Sequence, residues 1–128
     1  MPAQINPNSP DNRSGLAQLD RSLEIIGANA TVQTKDGDVF ITKAASSARI
    51  TLNAPTSGPI TAGGDDGKMV RFISTTPFAH VVTSPTVGIN AKGSSGTATM
   101  GAAIGNEVSL VAYQGNWYTT SMINTTIA

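Results

Sequence analysis

The chain contains no cysteine. A disulfide framework, a thiolate metal site and catalysis by a thiol are therefore excluded. Charge is also scarce: charged residues make up 12% of the sequence, with eight acidic and eight basic side chains. The basic residues stand singly, whereas a nucleic-acid partner needs concentrated positive charge opposite its phosphates. The composition therefore argues against nucleic-acid binding, and a net charge of zero favours association with other proteins.

Long apolar runs are missing as well. No stretch approaches the length of a membrane span, and the N-terminus lacks the basic start and apolar core of a signal peptide. We therefore expect a soluble protein with no membrane partner, not exported by the general secretory route. At 128 residues the chain fits one domain, which can bury about two thirds of the surface of its unfolded state.

Short apolar or β-branched runs, separated by glycine-containing turns, fill the second half of the chain. They occupy residues 69–73, 80–83, 97–100, 108–113 and 117–122. Strands joined by tight turns show this punctuation, so the pattern predicts an all-β sandwich or barrel. Strand alternation predicts that five side chains are buried in its core: Val70, Phe72, Val108, Leu110 and Trp117.

The first half of the chain carries two further strand signals. Asp36 and Gly37 stand between the β-prone runs 29–34 and 39–42. Because an Asp-Gly pair in this position is a strong hairpin signal, it predicts the first hairpin of the fold. Residues 49–53 alternate apolar with polar side chains, which predicts a half-buried strand.

The N-terminal 27 residues form a separate predicted unit, with the β domain over residues 28–128. Residues 1–13 hold three of the seven prolines and little to bury. They are expected to be an extended arm, although a terminus without a role is an equal alternative. Residues 14–26 show helical spacing after a possible Ser14 cap, which predicts a short helix, and residues 23–26 fit a strand equally well. The apolar residues expected to contact the surface of another protein or a sister subunit are Ile5, Leu16, Leu19, Leu23, Ile25 and Ile26.

Two features resemble catalytic or binding motifs without matching them. His80 is the only histidine, and no Gly-x-Ser-x-Gly nucleophile motif accompanies it, so we expect a structural role. The segment 63–68 resembles a phosphate-binding loop, but Met69 follows its lysine and two carboxylates would repel phosphate. The ligand spacing of a calcium loop is also absent, so a turn is the preferred interpretation. The sequence predicts no catalytic residue, no metal site and no cofactor.

Aromatic residues are few, and three of the six cluster at one predicted hairpin: Tyr113, Trp117 and Tyr118. Because aromatic faces carry sugar rings, the cluster is a candidate carbohydrate platform. The preferred alternative places Trp117 inside the fold, since a core so poor in aromatics needs its one large ring.

Six segments taken together resemble a family of phage proteins. They are residues 50–56, 66–68, 73–76, 79–83, 105–113 and 115–118. Over residues 28–122 their arrangement is similar to that of the small head decoration, or cement, proteins of tailed bacteriophages. The resemblance implies a jelly-roll-like β-sandwich that oligomerises on the outer surface of the capsid and clamps neighbouring major capsid protein subunits. It implies no enzymatic residues.

These observations define the expected fold and function. We expect an all-β, jelly-roll-like antiparallel β-sandwich with an extended N-terminal arm, assembled as a homodimer or homotrimer. The first functional hypothesis is a non-enzymatic capsid decoration protein on the virion surface, with the major capsid protein as its partner. The alternative is a carbohydrate- or receptor-binding module of a phage tail or fibre. A hydrolase ranks third.

Overall fold

The computed structural model describes residues 22–128 of the chain. These residues form ten β-strands and two short 3-10 turns (Ile60–Ala62 and Gly93–Ser95), and none of them lies in an α-helix. The strands are β1 (Ser22–Ile26), β2 (Ala30–Val32), β3 (Gly37–Ile41), β4 (Arg49–Leu52), β5 (Met69–Ser74), β6 (Val81–Thr83), β7 (Thr97–Met100), β8 (Glu107–Tyr113), β9 (Asn116–Ile123) and β10 (Thr125–Ile127). The expectation of an all-β fold is confirmed.

The strands form two mixed sheets of five. The first sheet has the order β1-β3-β5-β8-β9, and the second has the order β2-β4-β6-β7-β10. Within the first sheet β1, β3 and β5 are parallel, and within the second sheet β2, β4 and β6 are parallel. Because the chain alternates between the sheets from β1 to β6, it coils three times and adds one strand to each sheet in every turn.

The chain reverses direction after β6. From there β7 pairs antiparallel with β6, β8 with β5, and β10 with β7. The hairpin predicted between residues 113 and 117 is confirmed, since β8 and β9 pair antiparallel through a turn at Gln114 and Gly115. Both turn residues have positive φ (49° and 81°), which is the geometry of a tight two-residue hairpin.

The antiparallel arrangement expected from the sequence is wrong for the coiled part, because its four strand pairings are parallel. A jelly roll consists of antiparallel strands, so the first six strands depart from that topology. The hairpin predicted at Asp36 and Gly37 is also wrong, because β2 and β3 lie in different sheets. Gly37 is buried inside β3, where an added Cβ would collide with the backbone of Ser22 in β1. The glycine serves close strand packing here and not a turn.

Residues 22–26 form β1, which pairs in parallel with β3. The strand alternative for residues 23–26 is therefore confirmed, and the helical alternative is wrong for them. Because β1 is an edge strand of the first sheet, these residues belong to the β domain and not to an extended arm. The rest of the predicted arm, with Ile5, Leu16 and Leu19, lies outside the described residues.

Both sheets contribute to one hydrophobic core. The burial predicted for Val70, Phe72, Val108, Leu110 and Trp117 is confirmed, since each is fully buried. The half-buried strand predicted over residues 49–53 is also confirmed as β4, with its apolar side chains inside. In the second sheet the register aligns one core position of every strand in a single row: Ala30, Ile50, Val82, Ala98 and Ile127.

Candidate functional site

The outer face of the first sheet has an apolar half on β1, β3 and β5. Strand alternation turns Leu23, Ile25, Phe40 and Ile73 away from the core, and we call these four residues the apolar patch. The register aligns Ile25, Phe40 and Ile73 across the three strands. Leu23 and Ile25 are 64% and 66% exposed. Apolar side chains so exposed on an edge strand mark a surface that another protein can cover.

The other half of the same face is polar and concave. A depression of about 340 Å³ lies over β5, β8 and β9, and we call it the polar depression. Its lining carries one carboxylate, one guanidinium, three hydroxyls and a thioether: Glu107, Arg71, Ser109, Thr120, Ser121 and Met69. The apolar patch and the polar depression therefore lie side by side on the outer face of one sheet.

Hydrogen bonds hold the carboxylate of the depression in place. Glu107 Oε2 accepts one from Ser109 Oγ at 2.8 Å and a second from Ser121 Oγ at 3.1 Å. Arg71 lies opposite Ser109 in the β5–β8 register, and its Nε donates to Asp38 Oδ1 at 3.1 Å. The ion pair of Arg71 within residues 22–128 is thus with Asp38 and not with Glu107.

A β-bulge in β9 builds one wall of the depression. Ser109 pairs with Ser121 but the next residue, Leu110, pairs with Thr119, so Thr120 is an extra residue on the bulged strand. Its hydroxyl donates to the Ser109 carbonyl oxygen at 3.3 Å. Because a bulge breaks the inward and outward alternation, two consecutive residues, Thr120 and Ser121, both line the depression.

The aromatic platform is only partly assembled. Trp117 is fully buried, and its Nε1 donates to the Asn53 carbonyl oxygen at 2.9 Å, so it presents no face to a ligand. The core alternative for Trp117 is confirmed, and its place in the platform is wrong. Tyr113 is 58% exposed, and alternation in β9 turns Tyr118 outward, opposite Val111. The two tyrosines remain on the outer face of the first sheet.

His80 is buried between two backbone segments. Its Nδ1 lies 2.9 Å from the Ala48 amide nitrogen, and its Nε2 lies 2.9 Å from Thr76 Oγ1. Desolvation, with a smaller contribution from the charge of Lys43, lowers the pKa of His80 below its ordinary value. All these contacts serve packing and hydrogen bonding, which agrees with the structural role expected from the sequence.

The acidic turn before β5 is also engaged in structural contacts. Asp65 forms an ion pair with Lys68 at 2.8 Å and accepts from the Thr56 amide at 2.7 Å. Burial would raise the pKa of Asp65, but these two hydrogen bonds outweigh it and hold the pKa below its usual range. Asp66 accepts from the backbone amide of Gln114 at 2.8 Å and from its side chain at 2.9 Å. The turn thereby anchors the β8–β9 hairpin.

The polar depression was not predicted from the sequence, although part of its signal was visible. Glu107 and Ser109 alternate with buried Val108 and Leu110, which places both polar residues on the outer face. The bulge that adds Thr120 left no sequence signal, because the run from Trp117 to Thr120 is β-prone throughout.

The described residues contain no group of three or more histidine, aspartate or glutamate side chains arranged to hold a metal ion. Among the same residues no helix is long and apolar enough to cross a membrane. No protein-family model matches the chain, and no curated protein matches it at a significant level.

Proposed function

We propose that this chain is a non-enzymatic virion structural protein. In this proposal it decorates the outer surface of a phage head and stabilises contacts between major capsid protein subunits. The observation that carries the proposal is the apolar patch, with Leu23 and Ile25 exposed by about two thirds on an edge strand. Burying such side chains against another protein contributes about 1.5–3 kcal/mol for each one fully covered. The resemblance of residues 28–122 to head decoration proteins supports the same role.

The coiled body suits a mechanical role. We take the two sheets as the layers of a sandwich closed around one continuous core, with side chains from every turn of the coil. A closely packed interior of this kind transmits strain and does not yield to it. Many copies on one particle compensate for a modest contact area in each copy.

We assign the apolar patch to contact with the major capsid protein. The patch begins at Leu23, and two further leucines, Leu16 and Leu19, precede it in the sequence. In the competing hypothesis, a second copy of this chain covers the same patch, and two or three copies associate through it. The test below separates the two.

The alternative function, a carbohydrate- or receptor-binding module of a phage tail or fibre, keeps some support. Tyr113 and Tyr118 lie on the outer face of the first sheet, where a ligand could reach them. The loss of Trp117 to the core removes the strongest stacking surface from the original platform. We therefore rank this function second.

Binding to capsids that lack the protein tests the proposal. The purified full chain is mixed with such capsids, and the bound fraction is measured by co-sedimentation over a range of concentrations. The double variant Leu23→Asp/Ile25→Asp should bind about 10-fold more weakly or worse, because it places charge on the patch. Thr31→Asp is the matched control, since Thr31 is exposed on β2, the edge strand of the second sheet.

Two results would overturn the assignment of the patch. One is a double variant that binds capsids as tightly as the wild-type chain. The other is a wild-type dimer or trimer, seen by light scattering after size exclusion, that becomes monomeric in the double variant and still binds capsids. The second result would give the patch to a sister copy.

A further inference from the structure

We infer that the polar depression binds a neutral sugar ring. This inference goes beyond the proposed function, because it does not depend on where in a virion the protein lies. The depression occupies β5, β8 and β9, whereas the apolar patch occupies β1, β3 and β5. A capsid or subunit contact on the patch therefore leaves a separate set of side chains for a ligand.

A fixed acceptor is the first requirement of a sugar site, and Glu107 meets it. Its Oε2 accepts hydrogen bonds from Ser109 and Ser121, which orient the carboxylate before any ligand arrives. Its Oε1 accepts no hydrogen bond from the residues that the structure describes. A sugar hydroxyl can donate to this oxygen in a charge-assisted bond with little loss of side-chain freedom.

Arg71 supplies hydrogen-bond donors from β5, on the side of Ser109 opposite to Ser121. The Nε group is held by Asp38 at 3.1 Å, which fixes the plane of the guanidinium. A guanidinium carries five N–H donors in a planar fork, and this bond uses one of them. The remaining donors can bind two adjacent oxygens at once, and neighbouring hydroxyls on a pyranose ring provide such a pair.

The bulge adds groups that both donate and accept. Hydroxyls rotate to either role, and Thr120 and Ser121 place two of them side by side in the lining. The apolar Met69 lies in the same lining, and the register places Tyr118 in the same row as Met69, with Val111 between them. The depression thus offers polar groups for the hydroxyls of a sugar and apolar surface for its C–H groups.

Charge and size select the class of ligand. Arg71 is paired with Asp38, whereas Glu107 has no ion-pair partner among the described residues, so its negative charge disfavours phosphate or an acidic sugar. The volume of about 340 Å³ is near the lower end of the range for small-molecule sites, which is about 300–1,000 Å³. A single neutral ring fits both conditions.

Amide chemical-shift titration of the full chain, labelled with nitrogen-15, tests the inference. The probes are glucose, galactose, mannose, N-acetylglucosamine and N-acetylgalactosamine, with glucuronate and inorganic phosphate as anionic comparisons. At least one neutral sugar should give saturable shifts at amides of the depression, including Arg71, Ser109 and Ser121. The anions should give none there.

Two variants and a control complete the test. Glu107→Gln should weaken binding of that sugar about 10-fold or more, because a hydrogen bond to a charged group contributes about 1.5–3 kcal/mol. Ser121→Ala changes an exposed residue and should weaken binding less than Glu107→Gln, since it removes one neutral lining hydroxyl and one of the two hydrogen bonds that orient the carboxylate. Glu24→Gln is the control. Glu24 lies on β1, at the edge of the sheet opposite β9, and it forms an ion pair with Lys35 there.

Three results would overturn the inference. These are the absence of saturable shifts in the depression with all five neutral sugars, equal binding by the wild type and by both depression variants, and tighter binding of glucuronate than of any neutral sugar. Capsid binding measured on the same variants distinguishes a failure of this inference from a failure of the proposed function. Glu107→Gln should leave capsid binding unchanged.

Discussion

The His80 imidazole accepts a hydrogen bond from the Ala48 backbone amide through Nδ1. An amide can only donate, so Nδ1 is unprotonated and the proton of the neutral ring lies on Nε2. The Nε2–H group then donates to Thr76 Oγ1, whose own proton goes to the Lys43 carbonyl oxygen at 2.7 Å. The ring thus joins the residue before β6 to the segments before β4 and after β5 only in its neutral form.

This arrangement predicts that the protein loses stability in mild acid. The pKa of His80 is lowered from 6.5 in the folded state, so the unfolded chain takes up the proton at higher pH. Stability should be highest above about pH 6.5 and should fall as the pH drops from there towards the lowered pKa. Thermal unfolding between about pH 8 and about pH 5 measures this dependence.

The variant His80→Gln provides the control for that measurement. It removes the titrating group, so the slope between neutral and mildly acidic pH should flatten, while the free energy of unfolding falls by about 1–3 kcal/mol. Capsid binding should be unchanged, because His80 performs no chemistry in this account. Equal pH slopes in the two proteins would show that His80 does not govern the acid response.

The parallel pairing of β1 with β3 predicts a strong effect of a single methyl group. Gly37→Ala places a Cβ against the backbone of Ser22, so it should cost about 1–3 kcal/mol and should speed amide exchange in β1. Gly27→Ala is the matched control, since its Cβ would lie 3.5 Å from Thr42 Oγ1, which is ordinary van der Waals contact. Chemical denaturation measures both variants. Equal stability of Gly37→Ala and the wild type would contradict the register between the two strands.

The burial of Trp117 makes a spectroscopic prediction. As the only tryptophan, it should show blue-shifted emission in the folded protein and weak quenching by acrylamide. Addition of any sugar that binds the polar depression should leave this emission nearly unchanged, because the indole lies on the core side of the sheet. Efficient quenching in the folded state would show that Trp117 is exposed and would make it a candidate for the aromatic platform again.

Local patterns predicted the later strands well. The runs that became β5, β7, β8 and β9 were each recognised from alternation between glycine-rich turns, and alternation also identified core residues such as Phe72 and Leu110. These features depend on neighbours that are close in sequence, where strand period and turn chemistry are informative.

The pairing of the early strands could not be predicted in the same way. Residues 22 and 37, and residues 37 and 70, meet only because the chain leaves one sheet, passes through the other and returns. No local pattern encodes such a crossover, and the Asp-Gly signal at residues 36–37 favoured a hairpin that the coil does not use. The polar depression stayed hidden for a related reason, since its side chains come from three strands and a bulge.

The proposal that the chain is a head decoration protein is tested most directly by cryo-electron microscopy of phage particles produced with the gene for the chain intact. Comparison with particles of a deletion mutant would give a difference density for the chain. Regular density is expected on the outside of the head, over joints between major capsid protein subunits, and the two-sheet coil should fit into it with its apolar patch facing the shell. Density confined to the tail, or no difference between the two kinds of particle, would contradict the claim.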